Sequence, residues 1–106
     1  MTAIIFDMSM LLLSKKDPEV MKALHRYRKE IFKKGELTVR EKELIAAAIS
    51  ATLMCEKCLE YHADAALEAG ATKKELMEAF EVAMYLVGPS SVIWSDLIDH
   101  YIEDEE

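Results

Sequence analysis

Apolar residues recur at helical spacing along most of the chain, and short polar or glycine-containing segments separate the periodic stretches. Apolar side chains lie three or four positions apart in two clear runs: Val20, Leu24, Tyr27 and Ile31, then Leu76, Met77, Phe80, Ala83, Met84 and Val87. No stretch alternates with a period of two over enough residues to predict a strand. The pattern therefore predicts an all-α fold of five or six helices.

Capping residues and glycines indicate where these helices begin and end. Helix starts are indicated by Asp17 followed by Pro18, and by the capping boxes Thr38–Glu41 and Thr72–Glu75. Helix ends are indicated by Gly35, Gly70 and Gly88. We expect Pro89 to start the last helix, whose apolar residues are Val92, Ile93, Leu97 and Ile98.

The segment from Val39 to Ala69 contains neither glycine nor proline, so it allows one long helix or two shorter ones. We favour a break between Ser50 and Met54, with Thr52 as the N-cap of the second helix. That boundary places Cys55 at about the third helical position. There, free backbone N–H groups and the positive end of the helix dipole would stabilise a thiolate.

Composition limits the class of protein and its partners. The 106 residues, 52% of them hydrophobic and 31% charged, predict one globular domain over 1–106. The net charge of −7 argues against a nucleic-acid partner, because such binding needs a concentrated basic field. The basic residues of the first long helix are expected to form a solvated face: Arg26, Arg28, Lys29, Lys33 and Lys34. The many Ala, Leu, Ile and Met residues favour a homo-oligomer.

Cysteine content and hydrophobicity favour a cytoplasmic protein with no membrane partner. Two cysteines in 106 residues are far from a secreted disulfide framework. The apolar segment from Met1 to Ser14 has no basic region and no cleavage site typical of a signal peptide. The longest apolar stretch, from Leu44 to Cys55, is too short to cross a bilayer.

Cys55, Cys58 and His62 are the residues most suited to chemistry, because their spacing of i, i+3 and i+7 brings them to one face of a helix. Two thiols so placed can close a disulfide with little rearrangement, which suits reversible redox chemistry. His62 follows Cys58 by one turn and can accept a thiol proton near neutral pH.

Three other interpretations compete with a dithiol site. A zinc site would have three ligands and no evident fourth. A c-type haem attachment needs histidine after the second cysteine, where this chain has Leu59. The cysteines could also be core residues beside an unrelated histidine. No metal or organic cofactor is required by the sequence.

Together with Glu43, these residues follow the spacing Glu-x11-Cys-x2-Cys-x3-His, which resembles the AhpD-like alkylhydroperoxidase family within the carboxymuconolactone decarboxylase superfamily. The resemblance covers residues 36–87. It implies a helical fold that assembles as trimers or hexamers, with a Cys-x-x-Cys centre that reduces hydroperoxides or exchanges disulfides. It also implies that Glu43 and His62 relay protons to Cys55 and Cys58, and that an external dithiol or protein restores the thiols. Lys57 departs from the pattern, since many members carry a second histidine there.

The relay role of Glu43 imposes a condition on the fold. On an unbroken helix it would lie about 18 Å from Cys55 along the axis. The chain must therefore turn back between them, or another subunit must supply the carboxylate. Without a relay, Glu43 is an ordinary acidic residue near a capped helix start.

The order of attack is not fixed by the sequence. The helix dipole favours Cys55 and proximity to His62 favours Cys58. We take Cys58 as the peroxide-reactive thiol and Cys55 as the exchange thiol.

Two rival functions remain open: a lactone decarboxylase, for which a reversible dithiol has no evident use, and a redox-sensing or interaction module without turnover. His25 and His100 are expected to be surface residues, and Trp94 is expected to pack in the core or at an interface.

Overall fold

The chain folds into helices joined by short connections, in a computed structural model that describes residues 11–92, 94 and 96–102. Residues 11–16 are helical, and the α-helices that follow are α1 (Pro18–Phe32), α2 (Val39–Thr52), α3 (Glu56–Glu68), α4 (Lys73–Val87) and α5 (Leu97–Ile102). A 3₁₀ turn at Pro89–Ser91 links the last two. All regular structure in these residues is helical, which confirms the predicted all-α class.

The predicted helix starts are confirmed. The Asp17 side chain accepts the N–H of Val20 at 3.2 Å, and Pro18 occupies the first position of α1. Both predicted capping boxes form. In the first, the hydroxyl of Thr38 accepts the N–H of Glu41 at 3.1 Å, and the Glu41 carboxylate accepts the N–H of Thr38 at 2.8 Å. Local sequence thus determines where α1, α2 and α4 begin.

The predicted break in the segment 39–69 is present, but its N-cap is Cys55 rather than Thr52. Thr52 closes α2 instead, and its hydroxyl donates to the carbonyl of Ile49 at 2.7 Å. Met54 then adopts φ 56°, a left-handed conformation that is uncommon for a residue with a side chain. This residue ends the helical path and allows the chain to reverse.

The last helix begins later than predicted. Gly88 has φ 112° and ends α4, and Pro89 opens the short 3₁₀ turn rather than an α-helix. Val92 leaves the helical path at φ −127° and is buried in the core. The α-helix starts at Leu97, and Ile93 lies outside the described residues.

The core lies between α2, α3, α4 and the C-terminal segment. Small residues line the α2–α3 contact, and four of them are fully buried: Ala47, Ala51, Ala63 and Ala66. Because alanine allows helix backbones to approach closely, α3 packs directly back along α2. Larger buried side chains complete the core, among them Leu59, Leu76 and Phe80. This hairpin of helices is what brings distant residues of the segment 39–69 together.

Candidate active site

Cys55 and Cys58 lie at the start of α3 and are joined as a disulfide with their Cα atoms 5.3 Å apart. Cys55 is the N-cap, and its Sγ accepts the backbone N–H of Cys58 at 3.3 Å. Both residues are partly buried. The pair therefore lies at the electropositive end of a helix, where negative charge on sulfur is favoured.

Glu43 and His62 meet across the α2–α3 contact. Oε1 of Glu43 lies 2.7 Å from Nδ1 of His62, and the two side chains are only 11% and 20% exposed. The break at 53–55 turns α3 back along α2, and this turn brings the Glu43 carboxylate to His62 within one chain. A second subunit is not needed to bring this carboxylate to the histidine.

The geometry defines what each nitrogen of His62 can do. When Nδ1 donates its hydrogen to the Glu43 carboxylate, the neutral ring keeps an unprotonated Nε2 that can accept a proton. Glu43 and His62 together can thus act as a base, as a carboxylate–imidazole pair does in hydrolases.

The surroundings of His62 include aromatic residues that the sequence did not reveal as site residues. The Phe32 ring at the end of α1 stacks on the imidazole, with centroids 5.4 Å apart and an angle of 19° between planes. Tyr61 contacts the same ring at 5.0 Å, and Arg28 donates to the Tyr61 hydroxyl at 2.7 Å. The contacts of Phe32 and Arg28 depend on the packing of α1, which no local pattern predicts.

The loop that precedes the cysteines is held from the C-terminal segment. The indole N–H of Trp94 donates to the carbonyl of Ala51 at 2.9 Å, and the same carbonyl accepts the N–H of Met54 at 3.0 Å. Trp94 packs against the core, as expected. Its hydrogen bond also fixes the last turn of α2, from which the cysteine loop departs.

On α3, Asp64 contacts the last helix, α5. The Tyr101 hydroxyl donates to Asp64 at 2.8 Å, and burial together with this acidic neighbour raises the pKa of Tyr101 far above its usual range. His25, His100 and Lys57 are exposed, as expected for the two histidines. None of these contacts connects to the Glu43–His62 pair.

The described residues hold no cluster of three or more His, Cys, Asp or Glu side chains that could bind a metal ion. No helix in the same part of the chain is long and apolar enough to cross a membrane.

Comparison with known proteins identifies the family. The sequence profile of the carboxymuconolactone decarboxylase family matches residues 18–94, which contain α1 to α4 and every candidate site residue. The chain belongs to this family. The membership expected from the Glu43-to-His62 spacing is thereby confirmed.

The relatives agree with this assignment. A carboxymuconolactone decarboxylase family protein from Legionella pneumophila has the same fold, with a TM-score of 0.86 and 25% identity over 96% of this chain and 91% of its own. Uncharacterised protein 4 of the cox locus of Paracoccus denitrificans is 42% identical over 55 residues, 52% of this chain. An uncharacterised protein of Cupriavidus necator is 28% identical over 78% of this chain and 74% of its own. The match spans half the length of the Paracoccus protein.

Proposed function

We propose that this member of the carboxymuconolactone decarboxylase family is a thiol-dependent oxidoreductase of the alkylhydroperoxidase or disulfide reductase type. One observation carries the proposal: a shielded Glu43–His62 hydrogen bond of 2.7 Å on the same helix hairpin as the Cys55–Cys58 disulfide. A disulfide alone suits a structural role, and a carboxylate–histidine pair alone suits many roles. Their combination suits proton-coupled thiol chemistry.

The oxidative half of the cycle uses one hydroperoxide. A thiolate of the reduced pair attacks the terminal peroxide oxygen, the O–O bond breaks, and the alkoxide takes a proton and leaves as an alcohol. The attacking sulfur is now a sulfenic acid. The second thiol displaces its hydroxyl as water and closes the Cys55–Cys58 disulfide. His62, backed by Glu43, accepts the thiol proton and returns it to the leaving alkoxide.

The reductive half requires an external dithiol or a protein reductant. One of its thiolates attacks a sulfur of the disulfide, and its second thiol resolves the mixed disulfide, which restores both cysteines and oxidises the donor. In this proposal Cys58 reacts with peroxide and Cys55 exchanges with the donor. No cofactor takes part.

The test measures how fast reduced protein loses thiols in a modest excess of an organic hydroperoxide, with intact mass to identify the product. We expect rapid formation of an intramolecular disulfide that Cys58→Ser abolishes. We expect His62→Ala and Glu43→Gln to slow the reaction by roughly 10²-fold at neutral pH, because general-base assistance is lost. His100→Ala and Glu36→Gln change exposed residues of the same types and should react at the original rate.

Two results would contradict the proposal. Thiols that react no faster than free cysteine would exclude the peroxidase activity, and slow exchange with small and protein disulfides would exclude the reductase activity. Oxidation that changes partner binding without turnover would then favour a redox sensor. Lactone decarboxylation that survives replacement of both cysteines by serine would favour the chemistry in the family's name.

We also propose that the chain functions as a homo-oligomer, a trimer or hexamer. Large apolar side chains of α2 and α4 are exposed side by side, as in surfaces that bind other proteins. The monomer already contains the Glu43–His62 pair, so assembly would cover this surface rather than complete the pair.

A further inference from the structure

We propose that Phe32 is a positioning residue for His62, and that the ammonium of Lys42 holds it in place. The inference rests on the proposed relay role of His62 and extends it to α1. In this inference, the C-terminal end of α1 fixes the plane of the imidazole ring. Phe32 and Lys42 do not touch the reacting sulfur atoms in this proposal.

The hydrogen bond to Glu43 fixes one atom of the ring and not its plane. Rotation about the last torsion of a histidine side chain is soft and roughly two-fold, so a ring held only at Nδ1 can still turn. The Phe32 ring lies nearly parallel to the imidazole, at 19°. Rotation of His62 would therefore drive its edge into the face of Phe32, and the stack holds Nε2 in one direction.

Lys42 explains why Phe32 stays at this place. Nζ of Lys42 donates to the carbonyls of Ile31 and Lys33, both at 2.7 Å, which flank Phe32 in sequence. The last carbonyls of a helix lack partners within it and lie at the negative end of its dipole, so a bound ammonium stabilises this end. One turn of α2 thus anchors Phe32 through Lys42 and binds His62 through Glu43.

The first measurement uses the oxidised protein and does not depend on thiol reactivity. The ¹⁵N shifts of the His62 imidazole, assigned with His62→Gln, give the populations of its two neutral tautomers. We expect the Nδ1–H form to dominate. In Phe32→Leu the Nε2–H form should rise roughly two- to tenfold, because a ring that turns without the stack moves out of line with the Glu43 carboxylate and weakens the hydrogen bond that favours Nδ1–H. Phe32→Tyr keeps the stack and should restore the original populations.

The second measurement follows the alkylation rate of the reduced thiols across pH. Phe32→Leu should slow alkylation near neutral pH by roughly three- to tenfold, because a misplaced base transfers protons less well. The rates should converge at alkaline pH, where the thiols ionise without help. Lys42→Met should change both readouts in the same direction.

Two control substitutions distinguish a loss of His62 positioning from a general disruption of α1. Tyr27→Leu removes an exposed aromatic ring from the same helix, and Lys34→Met removes an exposed ammonium near its end. Both should leave the two readouts unchanged. Thermal unfolding identifies any variant that fails to fold, and for such a variant the milder Phe32→Met replaces Phe32→Leu.

The outcomes distinguish this inference from the proposed function. A folded Phe32→Leu protein with the original tautomer populations overturns the positioning role. Altered tautomers with an unchanged alkylation profile confirm positioning and contradict the relay. Changes in both support both.

Discussion

At the scale of single residues, Cys55 combines two roles that usually fall to different side chains. It is one half of the redox pair and also the N-cap of α3, with its Sγ on the backbone N–H of Cys58. Helix N-caps are usually oxygen-bearing residues, because they accept hydrogen bonds more strongly than a neutral thiol. The start of α3 therefore depends on a sulfur acceptor that also takes part in the redox pair.

This role predicts a difference between two substitutions of Cys55 in the reduced protein. Serine restores an oxygen cap and alanine removes the cap, so Cys55→Ala should be about 1 kcal/mol less stable than Cys55→Ser. Urea unfolding under reducing conditions measures both. The same pair of substitutions at Cys58, which caps nothing, should differ by less. Equal stability of the two Cys55 variants would show that the sulfur does not cap α3.

The positions of the candidate site residues could be predicted from the sequence to different extents. Cys58 and His62 lie within α3 and Cys55 is its N-cap, so their placement on one helix follows from their spacing in the sequence. Glu43 required knowledge that the chain turns back, which the sequence could state only as a condition. Phe32 belongs to another helix, and its contact with His62 arises from tertiary packing. Periodicity therefore predicts which site residues share a helix, but not which residues of other helices surround them.

At the scale of helices, capping chemistry was the most reliable guide. It placed the starts of α1, α2 and α4, because a cap is satisfied by residues within one turn. The N-cap of α3 was wrongly assigned to Thr52, whose hydroxyl bonds back into α2 instead. The start of α5 was also wrong, since the 3₁₀ turn after Gly88 and the burial of Val92 depend on the core rather than on local sequence.

The capping box of α2 predicts a dependence of stability on acid. Hydrogen bonds from the backbone and side chain of Thr38 lower the pKa of Glu41 below its ordinary value of 4.5. A carboxylate with a lowered folded-state pKa stabilises the fold above its unfolded value, and this stabilisation is lost as the pH falls through the lowered value. We therefore expect Glu41 to contribute to the loss of stability below about pH 4.5.

Glu41→Gln tests this contribution, because its amide oxygen can still accept the Thr38 N–H without titrating. Thermal midpoints measured from neutral to acidic pH should fall less steeply for Glu41→Gln than for the original protein. Glu36→Gln changes an exposed carboxylate just before α2 and should keep the original slope. Identical slopes for all three proteins would contradict the predicted role of Glu41.

At the scale of the whole molecule, a groove between α2 and α4 is apolar and open. Its volume is about 420 Å³, and ten residues line it: Leu44, Ile45, Ala48, Ile49, Thr52, Ala79, Val82, Ala83, Leu86 and Val87. Several of the large apolar residues in this groove are more than half exposed: Ile49 is 53% exposed, Val82 60% and Leu86 73%. The apolar stripe predicted for α4 is therefore only partly core, since Val87 faces this groove. Such a surface is typical of subunit contacts.

Leu86→Glu tests whether the groove joins copies of the chain. In a symmetric assembly the same surface recurs in each subunit, so one substitution introduces several buried charges, each at a cost of several kcal/mol. We expect multi-angle light scattering to show a trimer or hexamer for the original protein and smaller species for Leu86→Glu. Tyr27→Glu places the same charge on α1, at a residue that is 67% exposed and outside the groove, and should leave the mass unchanged.

A monomeric original protein would contradict self-association. Loss of assembly in Tyr27→Glu but not in Leu86→Glu would assign the contact to α1 instead. Because Glu43 and His62 already meet within one chain, Leu86→Glu should keep its thiol chemistry even as a monomer.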